Sequence, residues 1–105
     1  MITVVRRDEP ITTGVVRIYI GRPSPLGNPF KIGVHGSRAQ VIQRYRQWLP
    51  KRESDSARVR SELKHILYHA RRGKVELACH CKPFDCHGDI IKARIEYLLS
   101  QESTA

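Results

Sequence analysis

The chain has 105 residues, 28% of them charged and 40% hydrophobic, with 19 Lys and Arg against 10 Asp and Glu. That length supports one domain around a single modest core and excludes two. No apolar run reaches the roughly eighteen residues of a membrane span, and MITVVRRDEP sets two arginines and two acids straight after a short apolar stretch, so a soluble cytoplasmic protein with neither signal peptide nor membrane partner is expected.

In chain order, ITVVR (2–6) and VVRIYI (15–20) are rich in β-branched residues and predict strands, with RDEPITTG between them as a turn-bearing loop that leaves a hairpin open to the pair. Ser37 followed by Gln40 is a capping-box pattern, and Val41, Ile42, Tyr45, Trp48 and Leu49 recur at helical spacing, predicting a helix over 38–49 that Pro50 stops. Ser54 or Asp55 is then placed to cap a second helix, with Val59, Leu63, Ile66, Leu67 and Ala70 as its apolar stripe and Gly73 at its end. KVELACHC (74–81) predicts a third strand, and Ile91, Ile95, Leu98 and Leu99 share one face of a last helix. The order β-β-α-α-β-α implies a small single α/β domain over residues 1–105, a three-stranded mixed sheet flanked by three helices. Ligands of such sheets gather outside the carboxyl ends of the strands, where two unusual loops fall.

The first is GRPSPLGNPFKIGVHG (21–36), with three prolines and four glycines in sixteen residues. Such composition shapes a backbone and admits close approach, which a mere connection does not need. Gly21, Arg22, Asn28 and Phe30 are its candidate ligand-binding residues: Arg22 and Asn28 for a phosphate or base edge, Phe30 as a core anchor or a stacking platform. Its glycines do not form a Walker or dinucleotide motif.

The second is LACHCKPFDCHGDII (77–91), which holds all three cysteines. A Cys79–Cys81 disulfide would be strained and three cysteines leave one unpaired, so reduced thiols are expected. Strand alternation places Val75, Leu77, Cys79 and Cys81 on one side, and Asp85 is a candidate cap for the helix that follows. Three readings stay open for this segment. Cys79, Cys81, Cys86 and His87 are a ligand complement for structural Zn²⁺, although adjacent Cys86 and His87 must then turn toward one ion. Alternatively Cys81 or Cys86 is a nucleophile near a helix N-terminus, with His87 as acid/base and Asp89 orienting it. The third reading is packing alone, with Cys79 a small core residue.

From Arg38 to Lys74 there are eleven Lys or Arg against three acids, Glu53, Asp55 and Glu62. Either a solvated helical face or attraction to phosphate explains that excess.

YIGRPSPLGNPF (19–30), the Tyr45 and Trp48 helix, and C-x-C-x-P-x-x-C-H-G-D at 79–89 together resemble the uncharacterised family called domain of unknown function 4326, small proteins met in bacteriophages and bacteria. The family's characteristic residues fall on Gly21, Arg22, Gly27, Asn28, Pro29, Phe30, Cys79, Cys81, Pro83, Cys86, His87 and Asp89. The resemblance implies a phage or bacterial cytoplasmic protein in which the two loops meet, and it brings no established reaction. The function expected is binding of a phosphorylated nucleotide or nucleic acid at a pocket between loop 21–36 and segment 79–89. A cysteine/histidine-dependent transferase or hydrolase on a nucleotide-like substrate is the alternative, as is a phage factor that inhibits a host protein through Trp48 and nearby arginines.

Overall fold

In the computed structural model, which describes residues 1–103, six elements follow in chain order. They are β1 (Ile2–Arg6), β2 (Val16–Tyr19), α1 (Arg38–Asp55), α2 (Ala57–Ala70), β3 (Val75–Cys79) and α3 (Gly88–Ser103). The strand order is β1-β3-β2, and β3 pairs in parallel with both neighbours. The sheet is therefore wholly parallel rather than mixed, and β1 and β2 do not form a hairpin.

The physical reason lies in β3 and in Arg17. VELAC is buried along almost its whole length, which suits the centre of a parallel sheet, where both edges are paired. That leaves β1 and β2 apart, and residues 7–15 must cross from one side of β3 to the other. Arg17 secures this crossing: its guanidinium donates to the carbonyls of Arg7 at 3.3 Å, Pro10 at 3.2 Å and Glu9, and pairs with Glu76 Oε1 at 2.8 Å. Both side chains of the pair are largely shielded, so the carbonyls satisfy donors that a lone carboxylate would leave unmet.

Register puts Ile2, Val75 and Val16 in one row and Val4, Leu77 and Ile18 in the next. These residues form one cluster with Tyr45 and Leu49 of α1, Val59, Leu63 and Ile66 of α2, and Ile91 and Ile95 of α3. All three helices thus cover the same sheet face, each through the apolar stripe that its spacing predicts.

Strand β3 ends at Cys79 rather than at Cys81, and the boundaries of α1 and α2 also differ from expectation. Helix α1 begins at the predicted capping box, with Gln40 N–H on Ser37 Oγ at 3.3 Å and Ser37 N–H on Gln40 Oε1 at 2.8 Å. It does not stop at Pro50 but runs on to Asp55. A proline inside a helix removes one hydrogen bond and crowds the preceding turn, and tertiary bonds beyond it offset that loss. Arg94 makes a two-pronged contact with Glu53 at 3.0 and 2.6 Å, and Arg60 donates to the Glu53 and Ser54 carbonyls at 3.1 and 2.8 Å. The second helix is capped by Ser56, whose side chain accepts the Val59 N–H, rather than by Ser54 or Asp55. Trp48 is only partly buried and packs against the edge of the core, with Arg52 over its ring at 6.0 Å. Among the described residues no helix is long and apolar enough to cross a membrane.

Candidate functional site

Loop 21–36 is held in shape by its own backbone and by α1. Ser24 N–H bonds the Gly21 carbonyl at 2.8 Å and Gly27 N–H the Ser24 carbonyl at 2.9 Å, two successive turns that fold the loop onto itself. Gly27 is required there, because a Cβ would lie 2.9 Å from both the N and Cα of Arg22. Leu26 is fully buried, and its carbonyl accepts the hydroxyl of Tyr45 at 2.8 Å. Burial, with the nearby Cys86, pushes the Tyr45 phenol well above its usual range, so it acts as a neutral donor. Tyr45→Phe should therefore leave the Leu26 carbonyl unmet and lower stability by about 1–2 kcal/mol, read from urea midpoints with the unfolding slope unchanged.

Asn28 is a clamp more than a free ligand group. Its Oδ1 accepts the Phe30 N–H at 2.9 Å and its Nδ2 donates to the Val41 carbonyl at 3.2 Å, tying the loop to α1. Arg22 Nη1 donates to the Asn28 carbonyl at 3.1 Å, and the rest of this exposed guanidinium stands at the cleft. Phe30 is half-buried, meets the His35 ring edge-on and lies under Arg44 at 5.9 Å, outside the core cluster rather than anchored in it.

The second loop brings its thiols together. Cys79 closes β3 on the core face, Cys81 follows on the same side, and the turn through 82–85 returns Cys86 to them. The three sulfurs lie within 4.8 Å of one another, close enough to hold a metal ion. Cys79 and Cys86 are buried and Cys81 is half-buried. His87 is also buried: its Nε2 lies 2.8 Å from the Ile20 carbonyl, its Nδ1 3.6 Å from Cys86 Sγ, and Tyr45 abuts its ring. A carbonyl only accepts, so Nε2 carries a hydrogen, and it is Nδ1 that faces Cys86 Sγ.

Helix α3 starts in a capping arrangement that uses a sulfur. Cys86 Sγ accepts the Gly88 N–H at 3.3 Å, and the Asp89 carboxylate accepts the Cys86 N–H at 3.4 Å. Asp89 also pairs with Lys82 at 3.1 and 3.3 Å. Partial burial opposes the Lys82 charge, but the Asp89 bond and charge outweigh it and raise its pKa. Asp89 thus orders the turn, while the Ile20 carbonyl orients His87. Asp85, the expected cap, instead offers its carbonyl to Arg38 at 3.3 Å.

Hydrogen bonds from Cys79, then Cys86 and His87, hold the Cys81 thiol well below its ordinary range. Its bonds to Cys79 and then Cys81, with burial, push Cys86 up. Without metal, Cys81 should be the first of the three to react with iodoacetamide, and well below the ordinary thiol value of about pH 8.5. Peptide mapping of protein labelled across a pH series checks this, and equal labelling of all three thiols contradicts it.

The two loops enclose one cleft of about 540 Å³. Gly21, Arg22, Asn28 and Phe30 line it together with Cys79, Cys81, Cys86 and His87, and Asp89 does not line it. Sequence reasoning missed Tyr19, His80, Lys31 and Arg38, which also line the cleft. The Tyr19 hydroxyl donates to the Arg22 carbonyl at 2.8 Å and lies 3.1 Å from His80 Nε2, linking the loops. Arg38 carried one available signal: it is a cation in the first turn of a helix with no acid there, against the helix dipole.

A parallel α/β domain with a cationic cleft and a cysteine cluster at the strand ends defines the class. The family described as Domain of unknown function (DUF4326) matches residues 4–97, and the chain belongs to it. No curated protein and no solved structure gives a significant match.

Proposed function

We propose that this chain binds a phosphorylated nucleotide, free or within a nucleic-acid strand, in the cleft between loop 21–36 and segment 79–89. One observation carries the reading: cations and solvent-facing apolar groups share a single cleft. Arg22, Lys31 and Arg38 line it against one carboxylate, Asp85. Phe30, Ile32 and Val34 line it too, and Ile32 and Val34 are 51% and 73% exposed. Arginine forks suit phosphate oxygens, and an apolar wall suits the face of a base. Phe84, 62% exposed beneath Arg38 at 4.9 Å, extends this surface toward solvent. The three thiols we read as ligands of a metal ion, zinc by their chemistry, with the ligand set argued below.

Calorimetric titration with nucleoside monophosphates, diphosphates and short single-stranded DNA and RNA tests the reading. At least one should bind, and Arg38→Ala should weaken it by about 10- to 100-fold, the worth of one charge-assisted hydrogen bond. No binding by any of them at low salt rejects the reading.

A second reading is favoured by Cys81, a half-buried thiol of lowered pKa that lines the cleft near His87. It makes the protein a cysteine-dependent transferase or hydrolase acting on the bound ligand. A thiolate committed to a metal is a poor nucleophile, so metal content decides between the two uses of Cys81.

A further inference from the structure

The geometry points to a closed Cys₃His centre for one Zn²⁺ ion, with the Sγ atoms of Cys79, Cys81 and Cys86 and the Nδ1 of His87 as ligands. It stands or falls independently of what the cleft binds.

The sulfurs lie within 4.8 Å of one another and come from the end of β3, the segment after it and the start of α3. An ion there would join three parts of the chain whose other links at this point are thiols, which are weak hydrogen-bonding groups, and the Lys82–Asp89 pair. His87 supplies the fourth position. Its Nε2 is on the Ile20 carbonyl at 2.8 Å, and ligating histidines commonly give their other ring N–H to a backbone carbonyl, which fixes tautomer and orientation. Its Nδ1 is 3.6 Å from Cys86 Sγ, so neighbouring Cys86 and His87 do turn to a common side.

The three sulfurs form the close group by themselves, and the separation of Cys86 from His87 supports His87 as the fourth ligand. With Zn–S of about 2.3 Å and Zn–N of about 2.0 Å, a tetrahedral ion places sulfur and nitrogen about 3.5 Å apart and two sulfurs about 3.8 Å apart. The Cys86–His87 separation already matches. The Cys79 and Cys86 sulfurs, 2.8 Å apart, open by about 1 Å to admit the ion.

Charge and softness select the metal. Three thiolates and a neutral imidazole around Zn²⁺ leave one negative charge beside the N-terminus of α3, whose Gly88 N–H already points at Cys86 Sγ. Thiolate and imidazole donors exclude Mg²⁺ and Ca²⁺, which take oxygen.

The test uses the full chain expressed in zinc-supplemented medium and purified under reducing conditions without chelator. Elemental analysis should find about one zinc per chain. Exchange for Co²⁺ should produce sulfur-to-cobalt charge transfer with tetrahedral d–d bands. Cys81→Ser and His87→Ala should each weaken metal binding by at least about tenfold, and His87→Ala should also shift the d–d bands. Folded wild-type protein without metal overturns the proposal, as does an intact mass two hydrogens lower, which marks a Cys79–Cys86 disulfide. One equivalent of another metal overturns the choice of zinc. An unchanged cobalt spectrum in His87→Ala overturns the fourth ligand. The wild-type measurements stand even if a variant fails to fold.

Discussion

Gly27→Ala protein is expected to lose about 2–3 kcal/mol of stability and to bind cleft ligands at least about tenfold more weakly. The new methyl group would sit 2.9 Å from the backbone N and Cα of Arg22. No side-chain rotation relieves a contact with main chain, so the turns that begin at Gly21 must shift. Arg22 moves with them, and its bond to the Asn28 carbonyl is drawn out of line. Urea unfolding and a ligand titration on the same preparation check both halves. Wild-type stability with wild-type affinity would mean that loop 21–36 is not held as described. Gly14 is the control, since nothing lies within 4 Å of a Cβ placed there. Its positive φ of 84° gives an alanine backbone strain alone, far from the cleft.

Reversing charge at the rim should have a larger effect on binding and almost none on folding. Arg22→Glu combined with Arg38→Glu is expected to weaken a phosphorylated ligand by about 100-fold or more, since each change removes a charge-assisted bond and adds repulsion. Both guanidiniums are reached by solvent, and their hydrogen bonds go to the carbonyls of Asn28 and Asp85 rather than into the core. If the ligand is a nucleic-acid strand, log affinity of the wild type should fall with log salt at about −0.7 per single-stranded phosphate contacted, and the double variant should show a shallower slope. An unchanged slope would place the phosphate contacts elsewhere, on the ten other basic residues between Arg44 and Lys74.

The elements were legible because burial follows local periodicity. Tyr45, Leu49, Leu63, Ile66, Ile91 and Ile95 recur at helical spacing, and the same residues fill the core. Strand order was not legible, since no residue of β1 or β2 states which neighbour it pairs with. It is set by long-range terms, the burial of VELAC and the reach of Arg17 across to Glu76 and the carbonyls of residues 7–10. Pro50 misled for a similar reason: the local penalty was real, and the Arg94 contact that helps offset it comes from distant sequence. At the site, alternation along β3 and the short turn after it were enough to bring Cys79, Cys81 and Cys86 together. The partner of His87 was beyond reach, because a backbone carbonyl, that of Ile20, carries no sequence signal. Asp89 was assigned to His87 by residue type, whereas its position in the first turn of α3 suits it to the Cys86 N–H and Lys82.

The central claim, a nucleotide cleft between the two loops, is tested most directly by amide chemical-shift mapping during titration with a nucleoside diphosphate and, separately, a short single-stranded oligonucleotide. The account predicts that the amides of residues 19–31 and 79–89 shift together and saturate with one affinity, while the exposed faces of α1 and α2 shift little with the free nucleotide. Shifts confined to α1 and α2, or none at saturating ligand, would contradict it.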